Sequence, residues 1–175
     1  MELLDVLNKE GNMTGKVEDK DVIHEKALWH KEVDAWIVNE QGEILIQKRA
    51  ATKKQAPNKW TSTGGHVKSG EDVKEAMARE IKEEIGMDCK KENLHLILIA
   101  KHRAWRGDNN VFRYLYFYRT EKQLQDFIIE KREVSELKYI SIQELEHIVE
   151  NKDENYLFWR EEYIQDVIDY LKKNI

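Results

Sequence analysis

Apolar residues recur along this chain with two periods. Between residues 69 and 87 they fall at Val73, Met77, Ile81 and Ile85, the one-sided stripe of an amphipathic helix that must face a core. Ser69 stands where an N-cap belongs, Glu71 and Asp72 fall in the first turn where the helix dipole favours anions, and Gly86 closes the pattern. Strand-like runs lie on both sides: residues 2–7 (ELLDVL), 33–38 (VDAWIV), 43–49 (EILIQKR), 94–100 (LHLILIA), 111–119 (VFRYLYFYR) and 137–140 (LKYI). The run at 94–100 reads as a buried strand. Gly11 and Gly15 mark the turn after the first run, and Asn39-Glu40-Gln41-Gly42 reads as a hairpin turn. Ser141-Ile142-Gln143-Glu144 is a capping box that opens a short helix. A last amphipathic helix is expected over 156–172. Its Tyr156, Phe158, Trp159, Tyr163, Val167, Tyr170 and Leu171 suit a core or a subunit contact, which leaves a homodimer open.

The acids of the first helix are placed unusually. With Val73 at zero and about 100° per residue, Glu84 falls about 20° inside the apolar stripe, Glu80 about 20° outside it and Glu83 about 80° outside it. A Lys/Glu-rich helix ordinarily presents a solvated face opposite its core stripe, and this one does not. Three like charges crowded at a core edge repel and shift toward protonation unless a cation sits among them. Hard carboxylate oxygens select Mg²⁺ or Mn²⁺ over zinc, and Mg²⁺ commonly completes its shell with water and substrate phosphates.

Gly65, five residues, Glu71, seven residues, then Arg79-Glu80-Ile81-Lys82-Glu83-Glu84-Ile85-Gly86-Met87 fill every defining position of a Nudix box, so the chain resembles the Nudix hydrolases. The resemblance implies an α/β fold, a Nudix-like α/β/α sandwich with a central mixed sheet. An extra N-terminal strand region and a C-terminal helix would complete one domain over residues 1–175. It also implies hydrolysis of a nucleoside diphosphate, or another diphosphate linked to a moiety X, with a divalent metal. Glu80, Glu83 and Glu84 would hold Mg²⁺ or Mn²⁺, helped by a backbone carbonyl of Gly64 or Gly65, and the metal would activate a water. Glu80 is the candidate shared ligand and base, and Arg79 would orient Glu83 or Glu71 by charge-assisted hydrogen bonds. Glu133, six residues before Tyr139, stands where some relatives carry a further metal or base glutamate; the alternative is a solvated acid among Lys131, Arg132 and Glu136.

The flanking loops supply candidate substrate contacts. Arg49 and Lys53 begin a basic stretch that runs into the acidic helix, where a diphosphate needs cationic partners opposite a metal. Lys54 and Lys59 in the same stretch read as solvated surface. Gly64-Gly65 would let the backbone approach metal or phosphate closely. In the loop KHRAWRGDNN a base could stack on Trp105 while Arg106 meets a phosphate, the alternative being simple packing.

A net charge of −5 argues against a nucleic-acid polymer as partner and leaves a small-molecule diphosphate. No apolar run approaches the roughly 20 residues of a membrane span, and the acidic start MELLDVLNKEG lacks the features of a signal peptide, so a cytoplasmic location is expected. Cys89 stands alone, which excludes an intramolecular disulfide and a cysteine-rich zinc site.

A rival function comes from the first half of the chain. NKEGNMTG, His24, His30, a hairpin ending in Arg49, Lys53-Lys54 and Trp60-Thr61 are similar to type I isopentenyl-diphosphate isomerases. That similarity puts His24, His30 and His66 at or near the positions where those enzymes bind a metal, although His24 and His30 are one residue closer together here. Two departures oppose isomerase chemistry. The isomerases' catalytic cysteine is replaced by Gly64 and a glutamate before a strand by Asn110, and neither replacement can pass a proton to or from carbon. The reading is therefore a hydrolase in an isomerase-like subgroup. Isomerisation and a non-catalytic diphosphate-sensing module are the alternatives.

Overall fold

The computed structural model describes residues 1–103 and 110–175, the side chain of Arg103 apart. Among these, nine strands form one sheet: β1 Leu3–Leu7, β2 Met13–Asp19, β3 Trp29–Val38, β4 Ile44–Arg49, β5 Trp60–Thr61, β6 Thr63–His66, β7 His95–Arg103, β8 Asn110–Arg119 and β9 Val134–Ile140. β3 is the spine. It runs parallel to β8 over its whole length, from Trp29↔Asn110 to Val38↔Arg119, while every other pairing is antiparallel, so the sheet is mixed.

Helices cover both faces. α2 (Val73–Ile85) lays Met77, Ile81 and Ile85 on Val33, Ala35, Ile37 and Tyr116. α3 (Ile142–Glu150) and α4 (Ile164–Asn174) close the other face over Trp36, Val38, Leu115 and Phe117. The expected α/β/α sandwich is therefore present, with α1 (Lys20–Glu25) packing Ile23 on Leu4 and Val6 beside the N-terminal strands. No helix among the described residues is long and apolar enough to cross a membrane.

The hairpin expected at 33–49 forms, but only at its turn. β3 and β4 pair at Ile37↔Leu45 and Val38↔Ile44 and then part. β6 takes over β3 from Ala35↔Thr63 to Glu32↔His66, and β5 takes over β4 at Gln47↔Thr61 and Lys48↔Trp60. The stretch from Trp60 to His66 is thereby wedged into a fork in the sheet. Close packing dictates the glycine at its centre: a Cβ on Gly64 would lie 2.3 Å from the carbonyl oxygen of Val33.

Four expectations need correction. The N-cap of α2 is Asp72, whose carboxylate accepts from the Lys74 and Glu75 amides. Ser69 instead donates its hydroxyl to Asp5, and Gly70 turns the chain with φ +76° before the helix begins, so Glu71 and Asp72 lie outside its first turn. The C-terminal helix starts at Ile164 and not at 156, because Tyr156 and Leu157 bridge to Trp60 and a 3-10 turn at Phe158–Arg160 follows. The aromatic residues before Ile164 still pack inward, with Tyr156, Phe158 and Tyr163 buried. Among the described residues β7 pairs with β8 alone, as an edge strand, leaving Leu96 and Ile99 nearly half exposed. Finally, Gly15 lies inside β2, a polar and mostly exposed strand held by its pairing with β1.

Removing the cap by Asp72→Ala should lower unfolding stability by about 1 kcal/mol, read from urea titration. Gly86→Ala should cost more, because Gly86 ends α2 at φ +68° and an added Cβ would lie 2.6 Å from the Ile128 carbonyl oxygen.

Candidate functional site

The fork gathers side chains from β3, β4 and β6 around a cleft of about 530 Å³. α2 backs one wall. Its stripe buries Met77 and Ile81 completely, and the helical period carries Glu80 and Glu84 into the same interface while Glu83 stays about half exposed. Arg79 organises these acids. Its Nη1 donates to Glu80 (2.7 Å) and Glu83 (3.1 Å), its Nε and Nη2 grip Glu71 (2.8 and 2.9 Å), and Nη2 also reaches the His66 carbonyl at 2.9 Å. Gly65 leaves room for this arrangement: a Cβ there would lie 2.5 Å from the Glu80 carboxylate. Glu84 accepts from Gln47 Nε2 at 2.7 Å, and Gln47 in turn accepts from Thr63. Glu80 and Glu84 thus sit directly behind two residues that line the cleft, Gly65 and Gln47.

These carboxylates are short of positive charge. Burial, with Glu80 and Glu133 nearby, pushes Glu84 up to about 8. Burial also raises Glu80, despite the opposing pull of Arg79. Buried oxygen donors that ionise reluctantly on their own suit a hard divalent cation. Glu133 is ion-paired with Lys53, so both of these expected site residues are present but engaged with one another.

A second cluster lies across β6. His24 on α1, His30 and Glu32 on β3, and His66 on β6 each offer one ligand atom, and the four atoms all lie within 4.8 Å of one another. The Nε2 atoms of His24 and His66 are 3.1 Å apart. His30 turns Nδ1 to the Leu28 carbonyl and leaves Nε2 buried without a hydrogen bond, 3.5 Å from Glu32 Oε1. Burial lowers His66 to about 4, which keeps its ring neutral and its lone pair available. Burial opposes ionisation of Glu32, but Arg113, His30 and His66 outweigh it and hold that carboxyl well below the usual range. Three imidazoles and a carboxylate form a mixed donor set that a divalent first-row ion would fit.

β3 supplies the polar groups that sequence reasoning passed over. Its Trp36 and Val38 face α3 and α4, and the period of two continues that row through Asp34, Glu32 and His30, all buried. Arg113 is the register partner of Glu32 on β8. It donates Nε and Nη2 to Glu32 Oε2, and Nη1 to Glu161 Oε1 and to the Tyr163 hydroxyl. Burial pushes Asp34 up to about 6. The signal was the pair of acids two residues apart, Glu32 and Asp34, leading into the apolar run from Ala35 to Val38.

Among the expected substrate contacts, Arg49 lines the cleft with its guanidinium on the Gln55 carbonyl. Lys53 does not line it, whereas Lys59, expected as solvated surface, does. Trp105 and Arg106 lie outside the described residues. The two departures from isomerases are sharpened. Gly64 has no space for a side chain, and Asn110 donates to the Ala27 carbonyl at 2.6 Å.

Comparison with known proteins places this architecture. The NUDIX domain family matches residues 28–160. An uncharacterized Nudix hydrolase of Clostridium acetobutylicum is 35% identical over 157 residues, covering 86% of this chain and 75% of that protein. An isopentenyl-diphosphate delta-isomerase of Photorhabdus laumondii is 31% identical over 168 residues, covering 90% of this chain and 88% of that protein. The crystal structure of DR0079 from Deinococcus radiodurans matches with TM-score 0.67 at 25% identity, over 86% of this chain and 90% of that one. The chain belongs to the Nudix hydrolase family.

A raised carboxyl sets a pH dependence. Glu84 titrates near 4.5 unfolded and about 8 folded, so its contribution to stability is full below pH 4.5 and is lost as pH rises through about 8. Urea titrations of chelator-treated protein should show stability falling across that window. Glu84→Gln should flatten the fall, and Mg²⁺ or Mn²⁺ should oppose it; an unchanged slope in Glu84→Gln would refute the assignment.

Proposed function

We propose that this Nudix-family chain hydrolyses a diphosphate linkage in a nucleoside diphosphate, or a related nucleoside diphosphate-X compound, by attack of water on phosphorus. The observation that carries the reading is the set of acids ordered by Arg79 behind the Gly65 wall of a cleft that Arg49 and Lys59 also line. Glu80, Glu83 and Glu84, with the Gly65 carbonyl, would hold Mg²⁺ or Mn²⁺. Such an ion, when bound, supplies Lewis acidity and lowers the pKa of a ligated water.

The chain's own groups have distinct tasks. Arg79 fixes the rotamers of Glu80 and Glu83, so that the carboxylates need not reorganise during the reaction. Glu80, whose burial raises its proton affinity, is the candidate base that takes the proton of the attacking water. Arg49 and Lys59 would neutralise the phosphate oxygens from the cleft wall, and Lys53, proposed with them, would have to leave its ion pair with Glu133 to reach them. Trp105 and Arg106 are proposed contacts for the moiety X.

Isomerisation of isopentenyl diphosphate is the second reading, favoured by the Photorhabdus relative and by the histidine cluster. The closed space at Gly64 and the amide at Asn110 weigh against it.

Incubation with Mg²⁺ or Mn²⁺ and a panel of nucleoside diphosphates, nucleotide sugars and dinucleotides should release phosphate or nucleoside monophosphate, with the oxygen of labelled water in the phosphoryl product. Glu83→Gln should lower kcat by about 100-fold or more. Silence across the panel, undiminished turnover in Glu83→Gln, or conversion of isopentenyl to dimethylallyl diphosphate would overturn the hydrolase reading.

A further inference from the structure

The acids of α2 do not account for the polar groups that β3 and β8 bring to the cleft. A small chamber of about 20 Å³ lies beside them, sharing Asp34, Ser62, Arg113, Leu157 and Glu161 with the main cleft and closed behind them by Trp36. Its volume admits one group the size of a water molecule. Three buried polar atoms in its walls have no hydrogen-bond partner among the described residues: Asp34 Oδ1, Trp36 Nε1 and Glu161 Oε2. His102 Nε2 stands 3.5 Å from Glu161 Oε2 without forming a hydrogen bond. Buried polar atoms are nearly always partnered, so three around one small cavity point to a missing occupant.

We infer that this chamber is a specificity site that receives a hydrogen-bond-donating hydroxyl or amino group of the substrate's non-phosphate half. The unmet demand is for two donors and one acceptor. Four of the five Arg113 N–H groups are directed to Glu32, Glu161 Oε1 and the Tyr163 hydroxyl, so Arg113 can supply at most one of the two donors. A hydroxyl or amino group can donate to Asp34 or Glu161 and accept from the Trp36 indole. A hydrocarbon group of the same size would seal all three atoms away from water unpaired, and a site of this kind rejects analogues that lack the polar group far more strongly than an apolar pocket rejects an added one. The chamber therefore selects against a prenyl chain. This inference rests on the reading that the cleft takes a diphosphate, but it concerns affinity and not cleavage.

The test is calorimetric binding, with Mg²⁺, of hydrolysis-resistant methylene analogues. The ligands are α,β-methylene nucleoside diphosphates carrying adenine, cytosine or uracil, their 2′,3′-dideoxy forms, and pentyl methylenediphosphonate. The best nucleoside analogue should bind about tenfold or more tightly than the pentyl compound. Loss of that advantage in the dideoxy forms assigns a sugar hydroxyl; its retention there, with cytosine favoured over uracil, assigns a base amino group. Glu161→Gln, at a partly exposed position, and Trp36→Phe, which keeps an aromatic ring but removes the N–H together with the pyrrole ring, should each shrink the nucleoside-to-pentyl ratio about fivefold. Equal or tighter binding of the pentyl compound, variants that weaken both ligands alike, or no binding of any analogue would overturn the inference. Hydrolysis of the parent diphosphates is measured separately, and its absence would defeat the proposed reaction while leaving the binding ratio to decide this point.

Discussion

One guanidinium holds the site together. Arg79 joins Glu71, Glu80 and Glu83 and reaches over to the His66 carbonyl, so it neutralises acids that would otherwise repel and ties α2 to β6 in the same contact. Planarity matters here, because five donors in a fixed fork can serve three carboxylates and a carbonyl where an ammonium could not. Breaking such a partly buried network leaves uncompensated charge, which costs more than the pairing itself contributes.

The fork in the sheet makes that contact useful. Had β3 and β4 stayed paired beyond Ile37↔Leu45, no opening would exist between Glu32 and Gln47. Their separation admits β6, whose Gly65 abuts Glu80 while the adjacent His66 ring joins His24, His30 and Glu32. Two donor sets, one of oxygens and one mixed, therefore lie on either side of a single four-residue strand. The row Glu32, Asp34, Trp36 then carries polarity from the histidine cluster toward the apolar core, with Arg113 and Glu161 completing its outer wall.

Much of this was legible in the sequence, for identifiable reasons. The stripe of α2 is periodic enough that the burial of Glu84 and Glu80 and the exposure of Glu83 follow from angle alone. Ser141 caps α3 by accepting from the Glu144 amide, although the Glu144 carboxylate turns to Lys138 and does not close the capping box, and Gly86 ends α2 in the left-handed conformation. Other features depended on partners distant in the chain. Ser69 lost the cap to Asp72 because Asp5, on another strand, holds its hydroxyl. The start of α4 was displaced by backbone bonds between Trp60 and residues 155–157, which helical periodicity cannot report. β5 and β6 are too short to show a period, and β2 has no apolar face to alternate. Asp34, Glu32, Arg113 and Glu161 were missed because each looks like an ordinary surface charge until β3 and β8 are set in register.

Anomalous diffraction from crystals grown with Mn²⁺ and a hydrolysis-resistant diphosphate tests the central claim most directly. The account predicts a manganese peak within ligand distance of the Glu80, Glu83 and Glu84 carboxylates and the Gly65 carbonyl, in contact with the diphosphate. A peak confined to His24, His30, Glu32 and His66, or no peak at all, would contradict it.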